Sequence, residues 1–187
     1  MTERSYHHGD LRRALLTATA AAIADKGPTA LSLRDLARRA GVSHAAPAHH
    51  FGDKAGLLTA LAAEGYVMLA DALSAAGGDL LDSGVAYVRF AIEHRAHFEV
   101  MFQPGLYHPD DPGVVAARER ADRSLSTALS SRPGHPRDED AEATQLAAWS
   151  LAHGFAALWL SGALPTTTEG DPETLARRVL GQLFQQP

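Results

Sequence analysis

The fold of this chain is decided by residues 32–54, SLRDLARRAGVSHAAPAHHFGDK, which have the pattern of two short helices joined by a tight turn. Ser32 stands where a helix N-cap is expected, and Asp35 follows at the spacing of a capping box. Gly41 supplies the left-handed backbone conformation that ends a helix sharply. Ser43 is expected to cap the next helix. This pattern predicts a helix-turn-helix, whose second helix enters the major groove of DNA.

Three further residues bear on this small domain. Val42 is expected to pack between the two helices. Pro47 lacks the N–H that would bond back to the Ser43 carbonyl, so the second helix should start one turn later or take 3-10 geometry. Phe51 is predicted to be a core residue of this small domain.

Outward from the motif, apolar residues recur at helical spacing and strand-like alternation is scarce, which predicts an all-α protein. N-cap signals stand at Asp10, Asp53, Asp111 and Asp171, the last two preceding a proline. The predicted helices cover 10–25, 32–40, 43–51, 53–76, 82–94, 95–102, 111–130, 138–163 and 171–185. At 1.5 Å per residue, the helix at 53–76 is roughly 35 Å long and can connect two domains, predicted at 1–54 and 55–187.

Composition and charge favour a soluble protein with a basic N-terminal segment. The 187 residues are 45% hydrophobic, include no cysteine and carry a net charge of −5. Residues 1–54 carry a balance of +3 and five histidines, whereas residues 55–187 carry −8. Such an asymmetry of charge is typical of a basic DNA-binding domain that is followed by an acidic domain. Charged residues in the first 25 positions argue against a signal peptide, and no uncharged apolar run approaches the ~20 residues of a membrane span, so we expect a cytoplasmic protein without a membrane partner.

These residues resemble a known family of regulators. Residues 32–54, together with Tyr6–Leu11, are similar to the DNA-binding domain of the tetracycline-repressor (TetR) family. The resemblance rests on Gly41-Val42-Ser43, His50-Phe51 and Lys54. It implies an all-α homodimer that represses promoters through palindromic operators and is released by a small effector. Residues 149–164, WSLAHGFAALWLSGAL, resemble the Trp-His-Gly type of C-terminal domain found in part of that family.

Positions that match the family motif imply the DNA contacts. The residues expected to face the groove are His44, Ala45, Pro47 and His49. The residues expected to contact phosphates are Ser43, His50 and Lys54, and Arg34 is a further expected contact with double-stranded DNA. The chain departs from the family at Ala48, where an aromatic residue is usual, so the contact that such a side chain makes is lost.

The ten histidines do not form a recognisable metal or catalytic pattern. Adjacent pairs such as His7-His8 and His49-His50 point about 100° apart on a helix and chelate poorly. Neither a His-Glu-x-x-His nor a Gly-x-Ser-x-Gly sequence is present. Ser150 and His153 share a helix without a supporting motif. We therefore expect no enzyme activity, no catalytic residue, no metal and no cofactor.

The helix at 138–163 is apolar nearly all round, which requires partners on two sides. One partner is the protomer core, and the other is expected to be a second subunit, since Ala147 and Gly154 allow close approach. The helix at 171–185 is expected to join this interface through Leu175, Val179, Leu183 and Phe184. His153 is either a hydrogen-bonded core residue or an effector contact.

An effector pocket is expected in the middle of the C-terminal bundle. Mostly apolar linings are typical of ligand sites, so a largely apolar or aromatic molecule is expected. The candidate lining residues are Tyr87, Phe90, Phe98, Met101, Phe102, Trp149 and His153. The alternative function is a small-molecule-binding helical protein with a vestigial DNA-binding head, which the negative net charge and Ala48 favour.

Overall fold

The computed structural model of the protein describes residues 3–130, 138–165 and 170–184. These residues form nine α-helices and one short 3-10 helix at Pro104–Leu106, and none of them lies in a β-strand, which confirms the all-α prediction. The α-helices are α1 (Glu3–Lys26), α2 (Leu33–Ala40), α3 (Ala46–Phe51), α4 (Lys54–Ala75), α5 (Leu80–Glu93), α6 (Arg95–Met101), α7 (Pro112–Ser130), α8 (Asp138–Ser161) and α9 (Pro172–Phe184).

Aspartate caps fix the start of several helices. The carboxylates of Asp53, Asp111 and Asp171 each accept an amide N–H from the first turn of the helix that follows, at 2.8–2.9 Å. These bonds satisfy N–H groups that have no partner within a helix, and they confirm three of the predicted caps. Asp79 caps α5 in the same way, so this helix starts at Leu80 and not at about residue 82 as predicted.

Two other predicted caps are wrong in detail. α1 begins at Glu3 and passes through Asp10. No proline precedes Asp10, so nothing in the backbone stops the helix from extending toward the N-terminus. Ser32 has the extended backbone of an N-cap residue but makes no side-chain capping bond. The Asp35 carboxylate accepts a bond from the Arg38 guanidinium at 3.1 Å, and the predicted capping box is absent.

The chain forms two compact units. Unit 1 comprises Met1–Gly65 and Ala96–Val115, and unit 2 comprises Tyr66–Arg95 and Ala116–Pro187. α4 is a single helix that contributes its first half to unit 1 and its second half to unit 2. The predicted boundary at Lys54 divides the chain by function, and it stays a prediction.

Each unit has its own apolar core. In unit 1, α2 packs against α1 and α3, and the fully buried side chains include Leu15, Ile23 and Leu36. In unit 2, α5 packs against both α8 and α9, with Val88 and Leu180 fully buried. The burial of these side chains supplies most of the driving force for folding.

α4 is long and apolar enough to cross a membrane by length and composition. An 18-residue window of this helix has a mean hydropathy of 1.4. The sequence prediction considered only apolar runs without charges. The apolar sequence of α4 was not counted as such a run because it contains Glu64 and Asp71. Because 56% of the window is buried inside the protein, the helix has the surroundings of a core helix, and its hydropathy is only a weak indication of a membrane span.

Candidate nucleic-acid interface and effector site

The turn between α2 and α3 has the predicted helix-turn-helix geometry. Gly41 has φ 67° and ψ 28°, in the left-handed region that favours glycine. Its N–H bonds to the Arg38 carbonyl at 3.3 Å, and the Val42 N–H bonds to the Ala37 carbonyl at 3.0 Å. These bonds satisfy carbonyls at the end of α2. The chain therefore turns sharply toward α3, as the sequence predicted.

α3 begins later than Ser43. Ala45 is the N-cap residue, and no side chain caps the helix, so the predicted capping role of Ser43 is wrong. The physical reason is Pro47, which lies at the second position of α3. A proline needs no intrahelical acceptor in the first turn, whereas deeper in a helix its missing N–H would break the bonding pattern. The later start is one of the two outcomes that the sequence predicted.

The structure places most of the predicted DNA contacts on the surface of unit 1. The exposed residues of this set are Arg34, Ser43, His44, Ala45 and His49, whereas His50 and Lys54 are half-buried. Pro47 is buried, which removes it from the predicted groove-facing set. Ala48 is exposed. An aromatic side chain, which is usual at this position in the resembled family, would project from the outer face of α3, where this chain has only a methyl group.

Lys54 has a partner that the sequence did not reveal. Its ammonium donates to the backbone carbonyl of Thr29 at 2.9 Å. Thr29 lies in the loop between α1 and α2, so this bond ties the start of α4 to that loop. An ammonium carries three N–H donors, and one carbonyl leaves it capable of further bonds. Lys54 can therefore hold the loop and contact a phosphate at the same time.

Close packing fixes the connection between α3 and α4. A Cβ atom added at Gly56 would lie 2.0 Å from the Phe51 carbonyl oxygen, so only glycine fits beneath this turn. The Arg12 guanidinium lies 5.3 Å from the centroid of the Phe51 ring, in the range of a cation–π interaction. Phe51 is half-buried, so it is only partly the core residue that we predicted.

In unit 2, three of the predicted effector residues form a hydrogen-bonded chain. The Tyr87 hydroxyl lies 2.9 Å from His153 Nδ1, and Trp149 is hydrogen-bonded to Tyr87. An indole N–H can only donate, so the Tyr87 oxygen accepts the bond from Trp149. Trp149 also lies against His153, with ring centroids 5.6 Å apart.

Burial keeps the titrating members of this chain neutral. Desolvation raises the pKa of the Tyr87 hydroxyl well above its ordinary value. Desolvation also lowers the pKa of His153 below 6.5. Both shifts favour the uncharged forms, as expected where the charged forms lose their hydration.

The seven predicted effector residues do not fall in one compact unit. Tyr87, Phe90, Trp149 and His153 belong to unit 2, whereas Phe98, Met101 and Phe102 belong to unit 1. The Phe98 and Phe102 rings lie 5.0 Å apart. Both Phe98 and Met101 are buried and have the surroundings of ordinary core residues. A single effector site formed by all seven residues stays a prediction.

The sequence reasoning missed two features. The first is the bond between Lys54 and the Thr29 carbonyl, which no side-chain pattern signals. The second is a cavity in unit 2, which α7 lines in part with polar side chains. The recurrence of Arg120, Ser124 and Thr127 at helical spacing could have indicated it.

Among the described residues, no three His, Cys, Asp or Glu side chains are grouped as a metal site.

Comparison with known proteins identifies the family. Residues 80–183, more than half of the chain, match the family model described as the tetracyclin repressor-like C-terminal domain. The chain belongs to the TetR family. Residues 15–61 of this TetR-family chain match the model for bacterial regulatory proteins of the tetR family, which covers the helix-turn-helix. The predicted resemblance is therefore confirmed, while the Trp-His-Gly type stays a prediction.

Whole-length relatives of this TetR-family protein agree with that identification. The HTH-type transcriptional regulator BetI of Cronobacter sakazakii is 30% identical over 186 residues, covering 94% of this chain and 89% of its own. A structure of a protein with unknown function from Rhodococcus sp. RHA1 is 32% identical with a TM-score of 0.75, covering 97% of this chain and 98% of its own. The TetR-family regulator PfmR from Thermus thermophilus shares the fold, with 24% identity, a TM-score of 0.71 and coverage of 91% and 97%.

The family and the geometry together give the general function. The protein is a DNA-binding transcriptional regulator with a ligand-binding C-terminal domain. Its family is one of transcriptional regulators.

Proposed function

We propose that this regulator is a cytoplasmic repressor that binds a palindromic operator as a homodimer and leaves it when a small molecule binds. The observation that carries the proposal is the exposed face of α3 behind the Gly41 turn, in a chain whose family binds DNA. In such a dimer the two recognition helices lie about 34–36 Å apart, so that they enter successive major grooves.

Recognition of the operator bases is assigned to His44, Ala45 and His49, which are exposed on or just before α3. The two imidazoles can donate to or accept from base edges, whereas Ala45 offers only an apolar contact of the kind that suits a thymine methyl group. Phosphate contacts are assigned to Arg34, Ser43, His50 and Lys54. Because so few polar groups read the bases, DNA shape and phosphate contacts should carry a large part of the specificity.

The homodimer is supported by apolar side chains that α8 and α9 leave exposed in the part of the chain that the structure describes. The exposed large apolar side chains on these helices are Leu146, Trp149, Leu158 and Val179. On α8, Leu146, Gly154 and Leu158 form a stripe along one side of the helix, whereas Trp149 lies about 180° around the helix from Leu158. Burial of such a stripe against a second copy of the chain would cover the apolar surface that the protomer leaves in water.

The effector site is assigned to Tyr87, Trp149 and His153. They offer aromatic faces beside a phenol and an imidazole, which suits a flat, largely apolar molecule with a polar group. A solved structure with the same fold, LfrR from Mycobacterium smegmatis, is a complex with the aromatic molecule proflavine (TM-score 0.66, 18% identity). An effector can bind more tightly to a conformation in which the two DNA-binding domains of the dimer have a different spacing. It would then lower operator affinity by its difference in affinity for the two conformations.

A mobility-shift assay with DNA upstream of the protein's own gene tests the proposal. We expect a discrete complex that resists excess random DNA and that a two-fold symmetric fragment reproduces. Binding no tighter than to random DNA, together with saturable binding of an aromatic ligand, would favour the alternative of a vestigial DNA-binding head. Operator binding by a monomer would contradict the homodimer.

A further inference from the structure

Unit 2 contains a cavity of about 330 Å³ between the last turns of α4 and the middle of α7. Its polar lining consists of Ser74, Arg120, Arg123, Ser124 and Thr127, and Leu73 gives it an apolar side. This volume is at the lower end of the range for small-molecule sites. We propose that the cavity binds the phosphate group of a small organic phosphate ester, at a site separate from the one assigned to the aromatic effector.

Arg120 is the fixed cation of this site. Its Nη2 lies 2.5 Å from Asp71 Oδ1 on α4, so the guanidinium is held against the wall of the cavity. A guanidinium has five N–H donors in a planar fork, and one carboxylate oxygen does not exhaust them. Arg120 can therefore bond a phosphate oxygen while its contact with Asp71 is kept.

Arg123 is the second cation, and its existing ion pair is weak. It lies one turn after Arg120 on the same face of α7, and its pair with Glu119 is long, at 3.6 Å, with both side chains largely exposed. Exposed pairs of this kind contribute little, about 0–1 kcal/mol. Two arginines one turn apart also repel each other. A dianion between them removes that repulsion, and the weak pair with Glu119 costs little to give up.

Hydroxyl groups complete the polar wall. Ser74 Oγ on α4 and Ser124 Oγ on α7 lie 3.1 Å apart, and they donate to the carbonyls of Ala70 and Arg120 respectively. A hydroxyl can rotate to donate to an incoming oxygen. Two guanidinium groups alone carry more N–H donors than a planar carboxylate can use, whereas a tetrahedral phosphate accepts bonds in several directions. This donor surplus decides the ligand class.

The test is an NMR titration of the full chain, without DNA or effector, at constant ionic strength. Inorganic phosphate and glycerol 3-phosphate are the probes, and acetate is the carboxylate control. We expect saturable shifts of the Ser124 and Thr127 amides with both phosphates. Arg123→Gln should weaken this binding at least ~10-fold, as expected for loss of a charged hydrogen bond. Arg118→Gln, the same charge change on α7 outside the cavity lining, should leave it unchanged.

Each other outcome overturns the assignment. Shifts that do not saturate, or that Arg118→Gln reduces as much as Arg123→Gln, would show general ion binding. Acetate that binds as tightly as phosphate would contradict the ligand class. Because no DNA or aromatic effector is present, any of these failures leaves the proposed repressor function standing. Failure of operator binding would likewise leave this site untouched.

Discussion

Gly154→Arg is the substitution that tests the proposed dimer most directly. Gly154 lies on α8 at the turn between Ser150 and Leu158, and a Cβ atom added there meets nothing within 4 Å in the protomer. Arginine also favours a helix over glycine by nearly ~1 kcal/mol. The variant should therefore fold as well as the wild type. Any loss of association should come from the interface itself.

The free energy of dimer formation can be estimated from the apolar side chains that the protomer leaves exposed. Leu146 is 56% exposed, Leu158 47%, Val179 41% and Trp149 38%. Full burial of such a side chain contributes about 1.5–3 kcal/mol, so roughly half of that for each of Leu146, Leu158 and Val179 in two copies gives about 7 kcal/mol. Two arginines in the seam should cost at least about 3 kcal/mol, or roughly 100-fold in the dimer dissociation constant.

Analytical ultracentrifugation over a range of protein concentrations measures this change. Gly105→Arg is the matched control, because a Cβ atom added at Gly105 likewise meets nothing within 4 Å, and this glycine lies in unit 1. We expect the control to associate like the wild type and to keep operator affinity, whereas Gly154→Arg loses both. A Gly154→Arg protein that dimerises with the wild-type constant would refute the assignment of the interface to α8.

Three further predictions concern lysine and histidine side chains. Lys54→Ala should weaken binding to operator and random DNA alike and lower the slope of log K against log salt by about one; an unchanged slope with a lower melting temperature would leave the Thr29 contact as its whole role. Changing His49 and His50 to alanine should weaken operator binding, because both are assigned contacts with DNA; unchanged operator affinity in the double variant would remove them from the contact set. The pKa of His153 is lower in the folded protein than in the unfolded chain. As the pH falls, the unfolded chain therefore takes up this proton at a higher pH than the folded protein does. The contribution of His153 to the free energy of unfolding is complete above about pH 6.5 and is lost as the pH falls toward the folded pKa. His153→Gln should therefore lose less stability than the wild type over that fall in a calorimetric series, and equal losses would contradict this reasoning.

The helix-turn-helix could be predicted because its determinants are local. Gly41 needs a left-handed backbone, and Pro47 cannot donate an N–H in a helix interior; both constraints act within a few residues. The start of α1 could not be predicted as well, since Asp10 is compatible with both an N-cap and a helix interior. Its outcome depends on the residues that precede it.

The effector site shows where sequence reasoning ends. Tyr87, Trp149 and His153 were chosen for their chemistry, and the structure brings these three together. Phe98 and Met101 were chosen by the same criterion, yet they belong to the other unit. Periodicity shows that a side chain is buried but not which partner buries it, and so the bond between Tyr87 and His153, 66 positions apart, could not be foreseen.

The missing space at Gly56 affects how mutational data on this regulator should be interpreted. An allele with any side chain at this position would displace the Phe51 carbonyl and with it the end of the recognition helix. Such an allele would behave in a promoter-reporter screen as though a base contact had been deleted, although residue 56 is one turn into α4 and need not touch DNA. A map of operator contacts drawn from loss-of-repression alleles alone would therefore place the DNA surface too far along the chain.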